Sequence, residues 1–241
     1  DFDSLLSVQD AVIGSGADTL TYVDNDGNVD ELDNVTGMQL VSVVGALGSE
    51  IEITLNSNAV FSVNATLDAS QSTTALVLDA QNDADGMVVL GTTVFGGDHV
   101  TLGAGSDILD AAQGNDYVNA SFGGDDSINL GSGSNWVDFD SLLSAQDTVI
   151  GSGTDTLTYV DNDSLASELD NVTGMQLVSV VGASGSDIEI TLNNNAVFAA
   201  NATLDASQSA TALVLDAQAD TDGMVVLGTT VVGGDDVILG A

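Results

Sequence analysis

Aspartate recurs at a nearly constant interval through the middle of this chain, two residues after a glycine and two before an aliphatic residue. Between residues 96 and 137 the positions are Asp98, Asp107, Asp116, Asp126 and Asn135, at steps of nine, nine, ten and nine. Carboxylate and amide oxygens are the hard ligands that Ca²⁺ takes, about six to eight at a time. The glycines permit tight turns with positive φ. The spacing therefore predicts calcium ligands in turns that repeat along the chain.

Each unit also contains the residues needed to hold such a turn in place. The residues after each aspartate form a short predicted strand that directs one aliphatic side chain into a core. Two units would make one coil, so Asp98 is expected to stack over Asp116 and then Asn135. In the other half of each coil, Asp107 would lie over Asp126. Two bare carboxylates about 4.8 Å apart repel by roughly 3 kcal/mol at an effective dielectric constant of about 20, and a cation between them would convert that repulsion into attraction.

These units resemble the hemolysin-type (repeats-in-toxin) calcium-binding nonapeptide GGxGxDxUx, in which U is a large aliphatic residue. The phrases TLDASQS and ALVLDAQ also resemble β-solenoid parts of bacterial surface-layer proteins and giant adhesins. The resemblance implies Ca²⁺ as the bound ion and export by a type I secretion system. The unit recurs in both flanks, so the predicted metal ligands are Asp18, Asp98, Asp107, Asp116, Asp126, Asn135, Asp155 and Asp235. Ala111-Ala112 stands where the family has Gly-Gly, and Asn135 stands where it has Asp.

The composition restricts the classes of partner. The 241 residues include 37 acidic residues, no Lys, Arg, Pro or Cys, and a single His. A chain without Lys or Arg is not expected to bind nucleic acid or an anionic membrane surface, and no apolar run reaches the length of a membrane span. Hydrophobic residues make up 44% of the chain, which is too many for a disordered acidic tail. An aliphatic core is therefore expected, with divalent cations as the counter-charge.

The chain also contains a long internal duplication. Residues 1–104 recur as 138–241 without a gap, with 86 identical positions and 18 differences. We interpret 1–104 and 138–241 as two copies of one solenoid repeat. Residues 105–137 are interpreted as a nonapeptide β-roll segment that completes a period running from 1 to 137. The second copy ends where another such segment would begin, so a longer tandem array is expected.

Short apolar segments separated by polar turns predict an all-β fold throughout the period. The predicted strands are Thr19–Val23, Met38–Val44, Ile51–Leu55, Ala59–Val63, Ala75–Leu78, Met87–Leu90 and Thr92–Phe95, followed by the nonapeptide strands. The nonapeptide phase continues into the flanks, which favours a right-handed parallel β-roll or β-solenoid, with about seven coils and about 34 Å per period. The alternative is a set of immunoglobulin-like β-sandwich repeats joined by calcium-binding β-roll segments, because the unit 1–104 has a suitable size.

Two other features carry weaker indications. Residues 24–33 have part of the acidic spacing of an EF-hand loop, but the corresponding residues 161–168 lose the glycine and an aspartate. An exposed variable loop is predicted there, with a second, weaker calcium site as the alternative. His99 is replaced by Asp236 in the second copy, so an outward position without a functional role is expected for it.

These features favour a structural role over catalysis. Nothing marks a pair of aspartates as a glycosidase site through pocket-forming aromatic residues. The first hypothesis is a calcium-stabilised structural repeat of a secreted bacterial filament, surface layer or matrix protein, located outside the cell or at its surface. Self-association is the expected interaction, without membrane insertion, and cell-surface polysaccharide is a further candidate partner. The alternative hypothesis is the stalk or extender region of a large adhesin.

Overall fold

Short β-strands connected by turns and loops make up the described part of the chain. The computed structural model describes residues 2–3, 6–56, 61–163, 165–193, 197–221 and 223–240. Within these ranges there are 23 strands and no helix, and none of these residues belongs to a helix that could span a bilayer. The strands are two to eight residues long, because Gly- and Asp-containing turns interrupt each run of β-forming residues. The predicted all-β class is confirmed.

The strand bounds follow the duplication. The first copy contains β1 (Val12–Ile13), β2 (Thr19–Asp24), β3 (Val35–Thr36), β4 (Met38–Gly45), β5 (Ile51–Thr54), β6 (Phe61–Asp68), β7 (Leu76–Asp79), β8 (Val88–Leu90) and β9 (His99–Thr101). The central segment and its border contain β10 (Ile108–Asp110), β11 (Gln113–Gly114), β12 (Tyr117–Asn119), β13 (Ser127–Gly133) and β14 (Trp136–Asp138). The second copy contains β15 (Thr148–Gly151), β16 (Thr156–Asp161), β17 (Val172–Thr173), β18 (Met175–Gly182), β19 (Ile188–Thr191), β20 (Phe198–Asp205), β21 (Leu213–Ala217), β22 (Met224–Leu227) and β23 (Asp236–Leu239).

The strands stack as a parallel β-solenoid of about ten turns. All described strand pairs are parallel. A first sheet runs from β2 to β17 and a second sheet from β5 to β22, while β19, β21 and β23 form a third sheet. The parallel pairing extends through the flanks, which excludes the immunoglobulin-like alternative, because the sheets of that sandwich are antiparallel.

Coil length differs between the centre and the flanks. In the nonapeptide region Val118 lies opposite Val100 on one side and Val137 on the other. Each of these coils therefore contains two nonapeptide units, as the sequence predicts. In the first copy, by contrast, Leu67 lies opposite Val41, so that coil is longer by roughly a third than those at the centre. Part of this extra length lies in a β-bulge, because the register of β4 with β6 shifts between the pairs Met38–Phe61 and Leu40–Thr66.

The two copies of the repeat lie half a coil out of phase. Strand β2 belongs to the first sheet, whereas its counterpart in the second copy, β16, belongs to the second sheet. Register partners lead from Thr19 in β2 through six coils to Thr148 in β15, still in the first sheet. Strand β16 follows half a coil later. One period therefore contains six and a half coils instead of the predicted seven, which gives about 31 Å of rod.

Inward aliphatic side chains form continuous columns between the sheets. The column of the first sheet consists of Leu20, Val41, Leu67, Val89, Leu109, Ile128 and Val149. The column of the second sheet includes Leu78, Val100, Val118, Val137, Leu157, Val178 and Leu204. Every member is at most 2% exposed. Burial of one such side chain contributes roughly 1.5–3 kcal/mol, so the aliphatic position of each nonapeptide unit is a core position, as predicted.

Two of the predicted strands do not coincide fully with strands in the described residues. Thr92–Phe95 is not a strand; this segment leads into a turn, and the side chain of Thr92 is buried beside Asp98. The prediction failed because β-forming residue types also suit an extended loop. Of Ala59–Val63, residues 59 and 60 lie outside the described residues, and the observed strand begins at Phe61.

Candidate metal-binding site

Strand geometry places the predicted aspartates inside the solenoid. In each unit the aspartate precedes the core aliphatic residue by two positions, and side chains two apart on an extended chain point in the same direction. Asp98, for example, precedes the buried Val100. Asp98, Asp107, Asp116, Asp126 and Asp155 are accordingly only 0–3% exposed. The carboxylates therefore lie beneath the turns and not on a solvated outer face.

Four of the predicted positions stack in one column, which we call the Asp98 column: Asp98, Asp116, Asn135 and Asp155. The amide N–H of Asp98 donates to Oδ1 of Asp116 at 2.7 Å, and the amide N–H of Asp116 donates to Oδ1 of Asn135 at 2.8 Å. Nδ2 of Asn135 then donates to Oδ1 of Asp155 at 2.8 Å. The predicted stacking of Asp98, Asp116 and Asn135 is confirmed.

A second column, the Asp107 column, contains Asp107, Asp126 and Asp147. The amide N–H of Asp107 donates to Oδ1 of Asp126 at 2.9 Å, and the amide N–H of Asp126 donates to Oδ1 of Asp147 at 2.8 Å. Oδ1 of Asp107 accepts the amide hydrogen of Met87 at 2.9 Å. The predicted stacking of Asp107 over Asp126 is confirmed, and in each column backbone amides satisfy one oxygen at most levels.

Several carboxylates use both oxygens in hydrogen bonds. Oδ2 of Asp98 accepts the amide hydrogen of Thr92 at 2.6 Å, and the Thr92 hydroxyl donates to Oδ1 at 2.7 Å. Oδ2 of Asp107 accepts the amide hydrogen of Gly103 at 3.2 Å, and Oδ2 of Asp155 accepts that of Gly153 at 2.8 Å. Hydrogen bonds from the protein thus stabilise part of the negative charge of these carboxylates, for which the sequence predicts a cation.

Asp116 and Asp126 differ from these, because Oδ2 of each is buried and makes no hydrogen bond. Burial raises the pKa of Asp126 to about 8, and the charges of Asp107 and Asp147 add to that effect. Burial likewise raises the pKa of Asp116 to about 6, with contributions from the charges of Asp98 and Asp155. A buried anionic oxygen without a partner is costly. Each of these positions therefore leaves one carboxylate oxygen without a protein partner, although neither residue belongs to the described groups of three acidic side chains that are close enough to hold a metal ion.

The two remaining predicted positions, Asp18 and Asp235, lie in terminal coils and belong to neither column. Oδ2 of Asp18 accepts the amide hydrogens of Ser15 at 2.6 Å and Gly16 at 2.9 Å. Asp235 accepts the hydroxyl hydrogen of Thr229 at 2.6 Å. Although its partial burial acts to raise the pKa of Asp235, the Thr229 hydroxyl and nearby amides lower it overall.

Sequence reasoning missed three members of this network. Asp147 is 1% exposed and completes the Asp107 column, Thr92 caps Asp98, and the side-chain oxygen of Gln176 accepts the amide hydrogen of Asp155. Asp147 lacks the preceding glycine but keeps the spacing of two positions to a buried aliphatic, Val149. A search for that spacing alone would have found it.

A separate group of acidic residues lies at the end of β2. One oxygen each of Asp24, Asp26 and Glu31, which we call the Glu31 cluster, lie within 4.8 Å of one another, close enough to hold a metal ion. Residues 25–29 are exposed as predicted, but Asp24 and Glu31 at the ends of this loop are only 1% and 5% exposed. Burial raises the pKa of Glu31 to about 7, and the charges of Asp24 and Asp26 contribute. Asp161, Asp163 and Glu168 form the equivalent Glu168 cluster in the second copy.

His99 occupies the outer face of the second sheet, as expected. It contacts the Tyr117 ring edge to face with centroids 4.6 Å apart, and Tyr117 contacts Trp136 at 5.5 Å. Trp136 is 47% exposed. Such edge-to-face contacts between neighbouring coils stabilise the stack, and no carboxylate of either column is hydrogen bonded to these rings among the described contacts.

The chemistry available at these sites is that of oxygen ligands. Carboxylate oxygens are supplied by buried aspartates and glutamates, and the sequence contains no Cys, Lys or Arg to compete for them. Acidic groups able to hold a metal ion are therefore part of the β-solenoid, and oxygen-only sites favour hard cations such as Ca²⁺ and Mg²⁺. Comparison of the chain with known protein families, with curated proteins and with solved structures finds no match.

Proposed function

We propose that this chain is a calcium-stabilised structural repeat of a secreted bacterial filament, surface layer or matrix protein, with no catalytic role. The observation that carries the proposal is the pair of buried, unpartnered Oδ2 atoms of Asp116 and Asp126 in a chain without Lys or Arg. No Lys or Arg side chain can neutralise these carboxylates. A proton or a cation from solution is the available counter-charge, and a cation takes this role increasingly as the pH rises above the raised pKa values of about 6 and about 8.

Calcium is the cation that these surroundings support best. It accepts carboxylates, amide oxygens and backbone carbonyls in flexible arrangements, whereas Mg²⁺ requires near-octahedral geometry and retains its water. Both Asp116 and Asp126 lie in turns whose carbonyl groups and side-chain oxygens could complete such a set. Asp98, Asp107, Asp155 and Asn135 are mainly hydrogen bonded and would support the ion sites by positioning neighbouring turns.

The net charge of −37 connects ion binding to folding outside the cell. Like charges keep a chain expanded and oppose compaction, so little folding is expected where calcium is scarce. Calcium at the millimolar concentrations outside cells would favour the folded state by mass action. This behaviour suits export of an unfolded chain through a type I secretion system, followed by folding and self-association at the cell surface. Cell-surface polysaccharide is a second partner in this proposal.

The continuous axial stacking supports a second candidate function. Each period of the repeat would act as a spacer of about 31 Å, which suits the stalk of a large adhesin. Electron microscopy of the purified full chain would separate the two functions. Self-assembled fibres or sheets support the filament or surface-layer role, whereas isolated rods at the same concentration support the stalk.

Circular dichroism tests the calcium requirement. The chain is stripped of divalent ions, measured, and measured again after addition of millimolar Ca²⁺. We expect a largely unfolded spectrum to convert to a β-sheet spectrum. Asp116→Ala should raise the calcium concentration needed for half-maximal folding, whereas His99→Ala should not. A full β-sheet spectrum in the absence of divalent ions that calcium leaves unchanged would refute the proposal.

A further inference from the structure

We propose that the Glu31 cluster and the Glu168 cluster are a second class of cation site, one in each repeat and separate from the two aspartate columns. The ligand is a hard divalent cation, Ca²⁺ or Mg²⁺. The observation that singles out these clusters from other acidic groups is a buried tyrosine hydroxyl beside each of them.

Strand β2 builds one side of the Glu31 cluster. Its side chains alternate, so Leu20, Tyr22 and Asp24 all point into the solenoid. Glu31 returns to the same place after the exposed loop, and its oxygen lies within 4.8 Å of those of Asp24 and Asp26. Oδ2 of Asp24 accepts the amide hydrogen of Glu52 at 2.8 Å. This bond holds the carboxylate against β5.

The hydroxyl of Tyr22 provides independent evidence for a ligand. Tyr22 is 3% exposed, and its hydroxyl makes no hydrogen bond. Its side chain points into the solenoid on the same face of β2 as Asp24, and the charges of Glu31 and Asp24 add to the effect of burial in raising the pKa of Tyr22. A buried hydroxyl nearly always has a partner. A cation between the carboxylates and the phenol oxygen would satisfy the hydroxyl and neutralise the three acids together.

The second copy repeats this arrangement with a different loop. Tyr159 is also 3% exposed, and its hydroxyl has no partner. Oδ2 of Asp161 accepts the amide hydrogen of Glu189 at 2.8 Å, as Asp24 accepts that of Glu52. The two copies differ at all four positions between Asp26 and Glu31, yet the tyrosine and the three acids are the same in both. The shared part of the loop is therefore the part that would bind an ion.

An ion at this position would fasten the loop to the next coil. In the first copy the amide N–H of Thr54 in β5 donates to the carbonyl of Val29 at 3.0 Å. In the second copy the amide N–H of Thr191 in β19 donates to the carbonyl of Ala166 at 2.9 Å. Each cluster already joins a loop, the end of one strand and the strand of the following coil. Ion binding adds a charged cross-link at that junction.

Terbium luminescence tests the proposal on the full chain, because Tb³⁺ replaces Ca²⁺ at oxygen sites and is excited through a neighbouring tyrosine. The double variant Glu31→Gln with Glu168→Gln removes one charge from each cluster while keeping the side-chain volume. We expect at least roughly tenfold weaker binding of the tyrosine-excited Tb³⁺ population and, in equilibrium dialysis, two fewer Ca²⁺ ions per chain. Competition with Ca²⁺ and with Mg²⁺ identifies which hard cation the clusters prefer.

The matched control is Glu50→Gln with Asp187→Asn, which removes one exposed charge from each copy at equivalent positions. It should leave the affinity and the number of bound ions unchanged. Tyr22→Phe with Tyr159→Phe should abolish the same luminescent population while the circular dichroism spectrum stays that of the folded chain. Unchanged stoichiometry in the glutamine variant would overturn the proposal and leave a shared proton as the occupant of the clusters. Because calcium-dependent folding through the aspartate columns is measured separately, either proposal can fail alone.

Discussion

Nδ2 of Asn135 donates a 2.8 Å hydrogen bond to Oδ1 of Asp155, one coil further along the Asp98 column. The same nitrogen also donates to the carbonyl of Leu130 at 3.0 Å, and Oδ1 of Asn135 accepts the amide hydrogen of Asp116. A neutral side chain thus separates two carboxylates without an ion. The Asp98 column therefore allows two ways of reducing carboxylate repulsion to be compared: the amide of Asn135 and the cation proposed at Asp116.

Asn135→Asp should make this level depend on calcium. The substitution removes the hydrogen bond to Asp155 and places a third carboxylate beside two others. We expect the free energy of unfolding without calcium to fall by about 1–3 kcal/mol and the stabilisation by calcium to increase. Urea denaturation at a series of Ca²⁺ concentrations, extrapolated to zero calcium, measures both quantities. Equal stability of the variant and the original chain without calcium would contradict this interpretation.

Asp126→Asn should stabilise the folded chain in the absence of calcium and reduce its response to calcium. Asparagine keeps the acceptor for the Asp107 amide but removes a buried charge whose Oδ2 has no partner. At pH 8 without calcium we expect unfolding to become less favourable by about 1–3 kcal/mol, and the response to calcium to shrink. The neighbouring exposed Asp125→Asn is the matched control and should change stability little. If both variants behave alike, the effect comes from net charge and not from the column.

The free energy of unfolding should fall as the pH rises when calcium is absent. The raised pKa values are about 6 for Asp107 and Asp116, about 7 for Glu31 and Glu168, and about 8 for Asp126. These exceed the ordinary values of 3.8 and 4.5, so the folded state binds more protons than the unfolded chain between them. Stability is then greatest below about pH 4 and is lost progressively up to about pH 8.

The β-sheet signal in circular dichroism, measured across this range in calcium-free buffers, tests that dependence and should fall as the pH rises. Saturating calcium should weaken or reverse it, because protons compete with the ion for the same carboxylates. A calcium-free stability that rises between pH 5 and pH 8 would have the wrong sign for buried, uncompensated carboxylates.

Gly133→Ala should disrupt the stacking of the central coils. Gly133 has a φ of +138°, and a Cβ there would overlap the carbonyl oxygen of Gly114 in the preceding coil. We expect a loss of about 2–4 kcal/mol in the free energy of unfolding with calcium present. Gly96→Ala is the control, since a Cβ at that position contacts nothing within 4 Å. Thermal denaturation of both variants provides the comparison.

The fold could be predicted from the sequence because one local unit specifies both the turn and the core position. In each unit the aspartate and the aliphatic residue two positions later face inward together, and the step of nine or ten defines half a coil. The phase between the copies could not be predicted, because it depends on the summed lengths of irregular coils, such as the long coil between Val41 and Leu67, whose strand pairing contains a register shift. The residues in the turns follow no periodic pattern from which the length of a coil could be predicted.

The stacking of the candidate residues could be predicted from the sequence, whereas their surroundings could not. The sequence places Asp116 and Asp126 correctly in stacked turns, yet it cannot show that amides satisfy Oδ1 and leave Oδ2 without a partner. The capping of Asp98 by Thr92 depends on the path of a loop. The grouping of Asp24 with Glu31 joins the end of a strand to the far end of its loop. Such contacts follow from tertiary geometry and not from spacing.

The half-coil phase between the copies also determines how a tandem array presents its surface. Asp24 ends a strand of the first sheet, whereas its counterpart Asp161 ends a strand of the second sheet. In an array with this period, equivalent outer features alternate between opposite sides after about 31 Å, and return to the same side after about 62 Å. A rod of this kind therefore has two opposite sides that carry equivalent features. In such an array, a lateral contact surface on one side would be repeated on the opposite side one period further along the rod.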